Sequence, residues 1–392
     1  MVDPVASVEV FTLTRQPDQP YLGSDEFDAP PNAQGYIVRS ANRTVYPTFQ
    51  RSVLVRCTTQ QGIVGWGETY GIVAPGAVGA IINDLLADFT IGRDPSGSGG
   101  PSAIYDDLYD LMRVRGYSGG FYVDALAAID IALWDLAGKQ AGCSVAELLS
   151  ETPRSEIPAY VSGLPRTTLQ ERGELAAEWQ GKGFDAFKFA LPAADQGVAK
   201  ELEYLRELLG PDTRIACDLQ WNHTAEQAIE LIRAMEPYGL WFAEAPVLTE
   251  DIDGLAAVAK AIDTPVAVGE EWRTDHDLRQ RLGRCPIAIV QPEMGHTGIT
   301  NFLRLGRLAA EHDLVMLPHA TIGAGIFLAA SLHATAALDA VAGHEFQHTV
   351  FLSNREMIDS DMACDHGYYR LPTGLGLGVT PSKAALDLLR RL

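Results

Sequence analysis

From residue 157 onward, the chain alternates short apolar runs with longer stretches whose apolar residues recur at helical spacing. The runs are short and rich in Val, Ile, Ala and Phe, which is typical of buried strands. We predict strands at residues 159–163, 186–189, 214–217, 241–243, 265–268, 287–290 and 315–317, with a weaker eighth at 345–349. This alternation predicts parallel strands joined by right-handed helical crossovers, and eight units predict a closed barrel.

The first 140 residues follow a different pattern. Alternating apolar and polar positions predict strands at residues 5–14, 51–58 and 62–68, whereas helical spacing predicts helices at 104–113 and 124–140. These elements indicate a small α+β lobe. The long segment at residues 15–47 is rich in Pro, Gly, Asp and aromatic residues. We predict that this segment is a lid over the barrel mouth, because long loops in compact domains are usually functional or disordered.

We therefore divide the chain into three parts. Residues 1–140 form the α+β lobe and residues 141–360 form the barrel. Residues 361–392 contain a glycine-rich stretch at 374–378 and a short helix, and we predict that they return to the first lobe.

Five polar residues follow successive apolar runs of the predicted barrel. Asp218, Glu244 and Glu270 are 26 residues apart, Glu293 follows after 23 residues, and His319 after another 26. One strand–helix unit of a barrel has about this length, so all five side chains are expected at the same rim, where barrel enzymes keep their chemistry. Three hard oxygen ligands suit Mg²⁺, and Asp218, Glu244 and Glu270 are its predicted ligands. Glu293 and His319 suit proton transfer, with the carboxylate fixing the imidazole tautomer.

Composition narrows the possible partners. Thirty basic and 51 acidic residues give a formal net charge of −21, which argues against nucleic acid or an anionic membrane surface. Residues 1–14 show no signal-peptide pattern, and no apolar run approaches the ~18 residues of a membrane span. The five cysteines are scattered without metal-type spacing. We therefore predict free thiols and a cytoplasmic protein.

Five fragments of the chain follow one another in the order and spacing of a known family. They are ALAAIDIALWDLAGK at 125–139, WFAEAP at 241–246, GE at 269–270, QPE at 291–293 and PH at 318–319. Together they resemble the enolase superfamily and, within it, the mandelate racemase-like subgroup. The resemblance implies an α/β fold, namely a modified (β/α)7β TIM-like barrel with an α+β capping domain. It also implies Mg²⁺ and abstraction of a proton α to the carboxylate of a small-molecule substrate.

The chain departs from the subgroup pattern at three positions. Ala190, in FKFA at 187–190, stands where the second lysine of Lys-x-Lys is usual, so a second base is missing. Glu293 stands where Asp is usual, and Gln220 where Asn is commoner. Racemisation by two bases is therefore disfavoured, whereas dehydration needs only one base that can later protonate the leaving hydroxyl.

The predicted activity is that of a hydro-lyase acting on an acid sugar, either aldonic or aldaric. Cycloisomerisation of a sugar-acid lactone, or epimerisation, remains an alternative. A non-catalytic scaffold is disfavoured, because neither the metal ligands nor His319 are lost.

The remaining predictions concern single residues and assembly. We assign His319, Glu293 and Lys188 to catalysis, with Lys188 holding a substrate carboxylate, polarising the enolate or balancing the acids of the metal site. Gln220, Trp272, Glu345, Arg115 and Tyr46 are candidates for substrate binding. A homo-oligomer is expected.

Overall fold

The computed structural model describes residues 2–16, 29–39, 43–320 and 323–392. Its first lobe consists of β1 (Val5–Arg15), β2 (Tyr36–Val38), β3 (Val45–Pro47), β4 (Gln50–Thr59), β5 (Val64–Tyr70), α1 (Pro75–Ile81), α2 (Ala87–Thr90), α3 (Gly100–Arg113) and α4 (Gly120–Ala141). Strands β1, β4 and β5 form an antiparallel sheet that packs against α4. Gly67 in β5 permits this close packing, because a Cβ there would overlap the carbonyl of Ala128 in α4.

The barrel follows in a regular alternation of helices and strands. Its elements are α5 (Val145–Leu149), β6 (Glu156–Ser162), α6 (Leu169–Gly181), β7 (Ala186–Ala190), α7 (Val198–Leu209), β8 (Arg214–Asp218), α8 (Ala225–Met235), β9 (Leu240–Glu244), α9 (Ile252–Ala261), β10 (Val266–Val268), α10 (Asp275–Arg279), β11 (Ile289–Val290), α11 (Met294–Glu311), β12 (Val315–Met316), α12 (Ile326–Ala336), β13 (His344–Gln347) and α13 (His348–Asn354). Strands β6 to β12 pair in parallel in chain order, and β13 pairs in parallel with β6. The Glu345 N–H donates to Pro318 O at 3.1 Å, which closes the ring between β12 and β13.

The C-terminal segment contacts both parts of the molecule. Its elements are β14 (Ile358–Asp359), β15 (Ala363–Asp365), β16 (Tyr368–Arg370), β17 (Thr380–Pro381), α14 (Lys383–Leu388) and β18 (Arg390–Arg391). Strand β16 pairs antiparallel with the first residues of β6, and β18 pairs with β1. The segment therefore extends the barrel sheet before it reaches the first lobe.

The centre of the barrel is filled by one layer of side chains: Tyr160, Ala186, Ala216, Phe242, Ala267, Ile289 and Leu317. Side chains alternate between the two faces of a strand, so residues two positions later also point inward, but at the carboxyl end. This parity brings Lys188, Asp218 and Glu244 to the barrel mouth, together with Gln291 and His319. The apolar layer beneath them closes the barrel from below.

The predicted fold class is confirmed, and each predicted barrel strand overlaps an observed one. Residues 17–28 and 40–42 of the predicted lid lie outside the described residues. Within the described ranges, no helix combines the length and apolar character that a membrane span requires.

Candidate active site

Lys188 lies at the centre of a buried ionic cluster in the barrel mouth. Its Nζ donates to Glu244 Oε1 at 2.7 Å and to Oε2 at 2.8 Å, and lies 2.9 Å from Glu345 Oε1. Each acid has a further hydrogen bond: Gln291 Nε2 donates to Glu244 Oε2 at 2.7 Å, and Ala320 N–H donates to Glu345 Oε2 at 2.8 Å. All of these side chains are buried. Three strands, β7, β9 and β13, are thus joined through a single ammonium group.

His319 is held from both sides of its ring. Its Nδ1 lies 2.9 Å from Glu293 Oε2, and its Nε2 lies 3.0 Å from Glu270 Oε2 and 3.6 Å from Glu345 Oε2. Glu293 is itself fixed, because Tyr70 Oη donates to Oε2 at 3.1 Å and Gly295 N–H donates to Oε1 at 3.2 Å. The two residues predicted to work together are therefore in direct contact. Their contact is typical of a histidine oriented by a carboxylate.

The charges of this cluster do not balance. Among its described residues, Asp218, Glu244, Glu270, Glu293 and Glu345 face two potential cations, Lys188 and His319. Burial, and then the neighbouring Glu244, raises the pKa of Asp218 well above its ordinary value, and burial also raises the pKa of Glu244. Burial disfavours the charge of Glu345, but Lys188 and His319 outweigh it and lower the pKa of Glu345 to about 2. The cluster therefore has more carboxylates than its own cations can neutralise.

His319 responds to the same excess of negative charge. Burial alone would favour the neutral imidazole, but the nearby carboxylates of Glu270 and Glu345 outweigh burial and raise the pKa of His319 well above its ordinary value. The ligand atoms of Glu244, Glu270 and His319 lie within 4.8 Å of one another and could hold a metal ion. Asp218, the third predicted ligand, is not in that group. Asp218 lies at the end of β8, where it is paired with Glu244 at the end of the neighbouring strand β9.

A cavity of about 730 Å³ opens above this cluster between the barrel and the first lobe. The barrel contributes Lys188, Asp218, Gln220, Glu270, His319 and Glu345 to its walls, and the first lobe contributes Arg15, Arg39, Tyr46, Thr48, Arg51 and Tyr70. Of the predicted lid segment, residues 15–16, 37, 39 and 44–47 line this cavity, and a lid role stays a prediction. Gln220, Tyr46 and Glu345, three of the predicted substrate contacts, line the cavity.

The chain bends sharply where Asp218 enters the cavity. Gln220 (φ 56°) and Trp221 (φ 52°) adopt left-handed backbone conformations that non-glycine residues rarely occupy, and Ala245 (φ 50°) does the same after Glu244. Gln220 N–H donates to Asp218 Oδ1 at 2.8 Å, and Trp221 N–H donates to Ala245 O at 2.8 Å. These contacts stabilise the strained turns, which fix the direction of both carboxylates.

Two predicted substrate contacts are not brought to the cavity. Trp272 is buried beneath the loop after β10, where it packs against Gly269 and under the Arg281 guanidinium at 5.0 Å. Arg115 lies in the exposed turn after α3, outside the cavity lining. Neither side chain therefore lines the cavity at the barrel mouth.

A second polar group on the cavity wall was missed by the sequence analysis. His296 Nδ1 lies 2.8 Å from Asp124 Oδ1, and Arg273 donates to the same carboxylate at 3.0 and 3.2 Å. Tyr70 stacks on His296 with ring centroids 4.0 Å apart. The only signal in the sequence was that His296 follows Glu293 by three residues and that Asp124 is the first residue of the predicted helix at 124–140.

Models of two protein domains match the chain. The mandelate racemase / muconate lactonizing enzyme N-terminal domain matches residues 37–150, and the enolase C-terminal domain-like model matches residues 171–385. The chain is 30% identical to a D-galactarolactone cycloisomerase from Agrobacterium fabrum, over 86% of this chain and 91% of the relative. It is 31% identical to a D-galactonate dehydratase from Ralstonia nicotianae, over 87% of this chain and 91% of the relative.

Solved structures resemble the chain over its whole length. A member of the enolase superfamily from Agrobacterium tumefaciens is 63% identical and superposes with a TM-score of 0.97, with 100% of both chains covered. A mutant of an L-talarate/galactarate dehydratase, liganded with Mg and L-glucarate, is 25% identical and superposes with a TM-score of 0.82. The match covers 100% of this chain and 93% of the dehydratase chain.

Proposed function

The chain belongs to the enolase superfamily, in its mandelate racemase/muconate lactonizing enzyme branch, and on this premise we propose that it dehydrates an acid sugar to a 2-keto-3-deoxy acid. The substrate class is an aldonic or aldaric acid, as the names of the D-galactonate and L-talarate/galactarate dehydratases suggest. The observation that carries the proposal is the contact between His319 and Glu293, beside buried carboxylates, with Ala190 in place of a second base.

The donor set of the barrel mouth fits Mg²⁺. Asp218, Glu244 and Glu270 offer carboxylate oxygens, which this ion prefers, and the cluster has more carboxylates than Lys188 and His319 can neutralise. These three residues would hold the ion, and a dehydratase relative has been crystallised with Mg bound. When bound, Mg²⁺ would stabilise the negative charge that develops on the substrate carboxylate as the α-proton leaves.

His319 is the proposed base. Its Nε2 edge faces the cavity cluster, and Glu293 on Nδ1 fixes the tautomer that leaves Nε2 able to accept a proton. Glu270 now contacts this nitrogen, so engagement of Glu270 by a cation would free Nε2 for the substrate. The charge of Lys188 favours the ionised forms of Glu244 and Glu345 in this buried site, so Lys188 is a positioning residue.

One base on one face of the substrate favours elimination over racemisation. Racemisation requires a proton donor on the opposite face, and Ala190 has none to give. In elimination, the α-proton goes to His319 and the β-hydroxyl leaves as water. Elimination therefore needs no proton donor on the opposite face of the α-carbon.

A lactone cycloisomerase is the second candidate. The relative from Agrobacterium fabrum, a D-galactarolactone cycloisomerase, supports it to the same degree, and this reaction also begins with removal of one α-proton. The two reactions differ in the leaving group, which is a free hydroxyl in dehydration and the ring oxygen of the lactone in cycloisomerisation.

The test is a panel of aldonic acids, aldaric acids and sugar-acid lactones, incubated with the enzyme in D₂O with and without Mg²⁺. We expect Mg²⁺-dependent formation of a 2-keto acid from at least one open-chain acid sugar. Conversion of lactones alone would favour the second candidate. Return of both epimers without any keto acid would contradict both.

A further inference from the structure

The cavity contains a second histidine–carboxylate pair that the proposed function does not use. His296 lines the cavity, and its Nδ1 lies 2.8 Å from Asp124 Oδ1 in α4 of the first lobe. The Asp124 carboxylate is buried and also accepts hydrogen bonds from Arg273 Nε at 3.0 Å and from Arg273 Nη2 at 3.2 Å. Burial opposes ionisation of Asp124, but His296 and Arg273 outweigh it and lower the pKa of Asp124. The carboxylate is therefore an anion that can support a positive charge on His296.

The backbone holds His296 against the cavity. The residue lies in the first turn of α11, whose start is capped by Glu293. Gly298 (φ 62°) breaks the helix two residues later, and a Cβ at this position would lie 2.7 Å from Asp130 Oδ2. The short turn that carries His296 is thus separated from the rest of α11, which packs against α4.

The two histidine–carboxylate pairs are joined by one aromatic ring. Tyr70 Oη donates to Glu293 Oε2, which contacts His319, while the Tyr70 ring stacks on His296 with an interplanar angle of 19°. Among the residues that the structure describes, the charged or titratable groups that contact His296 are Asp124 from α4 and Tyr70 from β5, and Arg273 contacts Asp124 from the other side. The Nδ1 edge of His296 is occupied by Asp124, so Nε2 is the edge available to a ligand.

We propose that His296 is the general acid that protonates the departing β-hydroxyl, while His319 only removes the α-proton. In the forward reaction, the electron pair left at Cα forms the Cα=Cβ bond and the Cβ–O bond breaks. The imidazolium of His296 gives its Nε2 proton to the leaving oxygen, and water is released. The resulting enol tautomerises to the 2-keto acid, and both histidines exchange protons with solvent. Asp124 and Arg273 are positioning residues for His296.

This division of labour rests on the proposed dehydration and makes a distinct prediction. A general acid is needed only for a poor leaving group such as hydroxide. A β-fluoro analogue of the same acid sugar loses fluoride without protonation. Loss of His296 should therefore slow elimination from the hydroxy acid sugar and not from its β-fluoro analogue. Loss of a residue that only supports the cavity wall should slow both eliminations to the same degree.

The experiment compares wild type, His296→Asn and His319→Asn, each with Mg²⁺, on the acid sugar that the wild type turns over and on its β-fluoro analogue. For His296→Asn we expect at least a 100-fold loss of hydroxide elimination, in the range of general-acid effects of about 10²–10⁴, with fluoride elimination within a few fold of wild type. It should also retain exchange of the α-proton in D₂O. His319→Asn should lose exchange and both eliminations. His312→Asn, an exposed histidine near the end of α11, is the matched control.

The outcomes separate the two proposals. Equal losses with the hydroxy and fluoro substrates, or loss of α-proton exchange in His296→Asn, overturn the role of His296 while dehydration stands. Unchanged hydroxide elimination in His296→Asn does the same. A wild type that forms no keto acid from any acid sugar overturns the dehydration and, with it, the assignment of His296.

Discussion

Replacing Lys188 by Met tests whether one ammonium group holds the barrel mouth together. The substitution keeps a long, unbranched side chain but removes the positive charge that contacts both oxygens of Glu244 and one of Glu345. Glu244 retains its bond from Gln291, and Glu345 retains its bond from Ala320 N–H and its proximity to His319. The variant thus has one buried cation fewer than the wild type, so one more buried carboxylate lacks a cationic partner.

The size of the effect follows from what a buried, unpaired carboxylate can do. Breaking a buried ion pair costs about 3–5 kcal/mol of unfolding free energy. The carboxylate can instead take up a proton. A carboxyl group with an ordinary pKa of 4.5 requires about 1.4 kcal/mol per pH unit for this, so about 4 kcal/mol near pH 7.5 and about 1.4 kcal/mol near pH 5.5. Because the carboxyl pKa is then raised in the folded state, the variant gains stability as the pH falls and loses it as the pH rises.

The measurement is urea unfolding of wild type and Lys188→Met at both pH values, in EDTA. We expect a loss of about 4 kcal/mol near pH 7.5 that shrinks to about 1.4 kcal/mol near pH 5.5. Lys260→Met, at an exposed position near the end of α9, is the control and should change stability by less than about 0.5 kcal/mol. A loss of the same size at both pH values would refute the reasoning, as would a loss below 1 kcal/mol near pH 7.5.

Two further predictions concern the histidines. His319→Asn should retain the fold, checked by circular dichroism, but its turnover should fall about 10³-fold, equivalent to ~4 kcal/mol of barrier. The turnover of Glu293→Gln should fall less, because the base remains. Equal losses in the two variants would contradict the orienting role of Glu293. Burial lowers the pKa of His333, His344 and His348 to about 4 from 6.5. Protonation of these histidines in the unfolded state lowers the stability of the protein as the pH falls from about 6.5 towards 4, and has no effect above about pH 6.5. The thermal unfolding midpoint should therefore fall between about pH 6.5 and 4. A midpoint that does not change over this range would contradict the prediction.

The sequence was sufficient for the barrel because two simple periodicities determine it. Apolar runs bounded by polar residues predicted strands that overlap β6 to β13. On most of these strands, the parity then determined which polar residue reaches the mouth. Asp218, for example, follows the interior Ala216 by two positions, and His319 follows Leu317 in the same way. Residues at the ends of regular strands are therefore predictable from sequence.

Residues that reach the cavity from outside the barrel strands were not predictable in the same way. Asp124 lies in a helix of the first lobe, and it meets His296 and Arg273 of the barrel only because the two lobes pack together. Their separations of 149 and 172 residues leave no periodic signal. Trp272 illustrates the opposite error. It directly follows the Glu270–Glu271 motif, but the left-handed Gly269 (φ 126°) turns the chain so that the indole packs beneath the loop.

The departure at Glu293 has a physical explanation in the structure. Glu293 is the N-terminal capping residue of α11, so its backbone position is determined by the helix start. From this position its carboxylate contacts His319 Nδ1, Tyr70 Oη and Gly295 N–H at the same time. These contacts restrict the additional rotatable bond that Glu has over Asp, so the longer side chain does not make the pair less well ordered. Through Tyr70, the same carboxylate also connects the base to the wall that carries His296. The longer side chain therefore fits a site in which two histidines face one cavity.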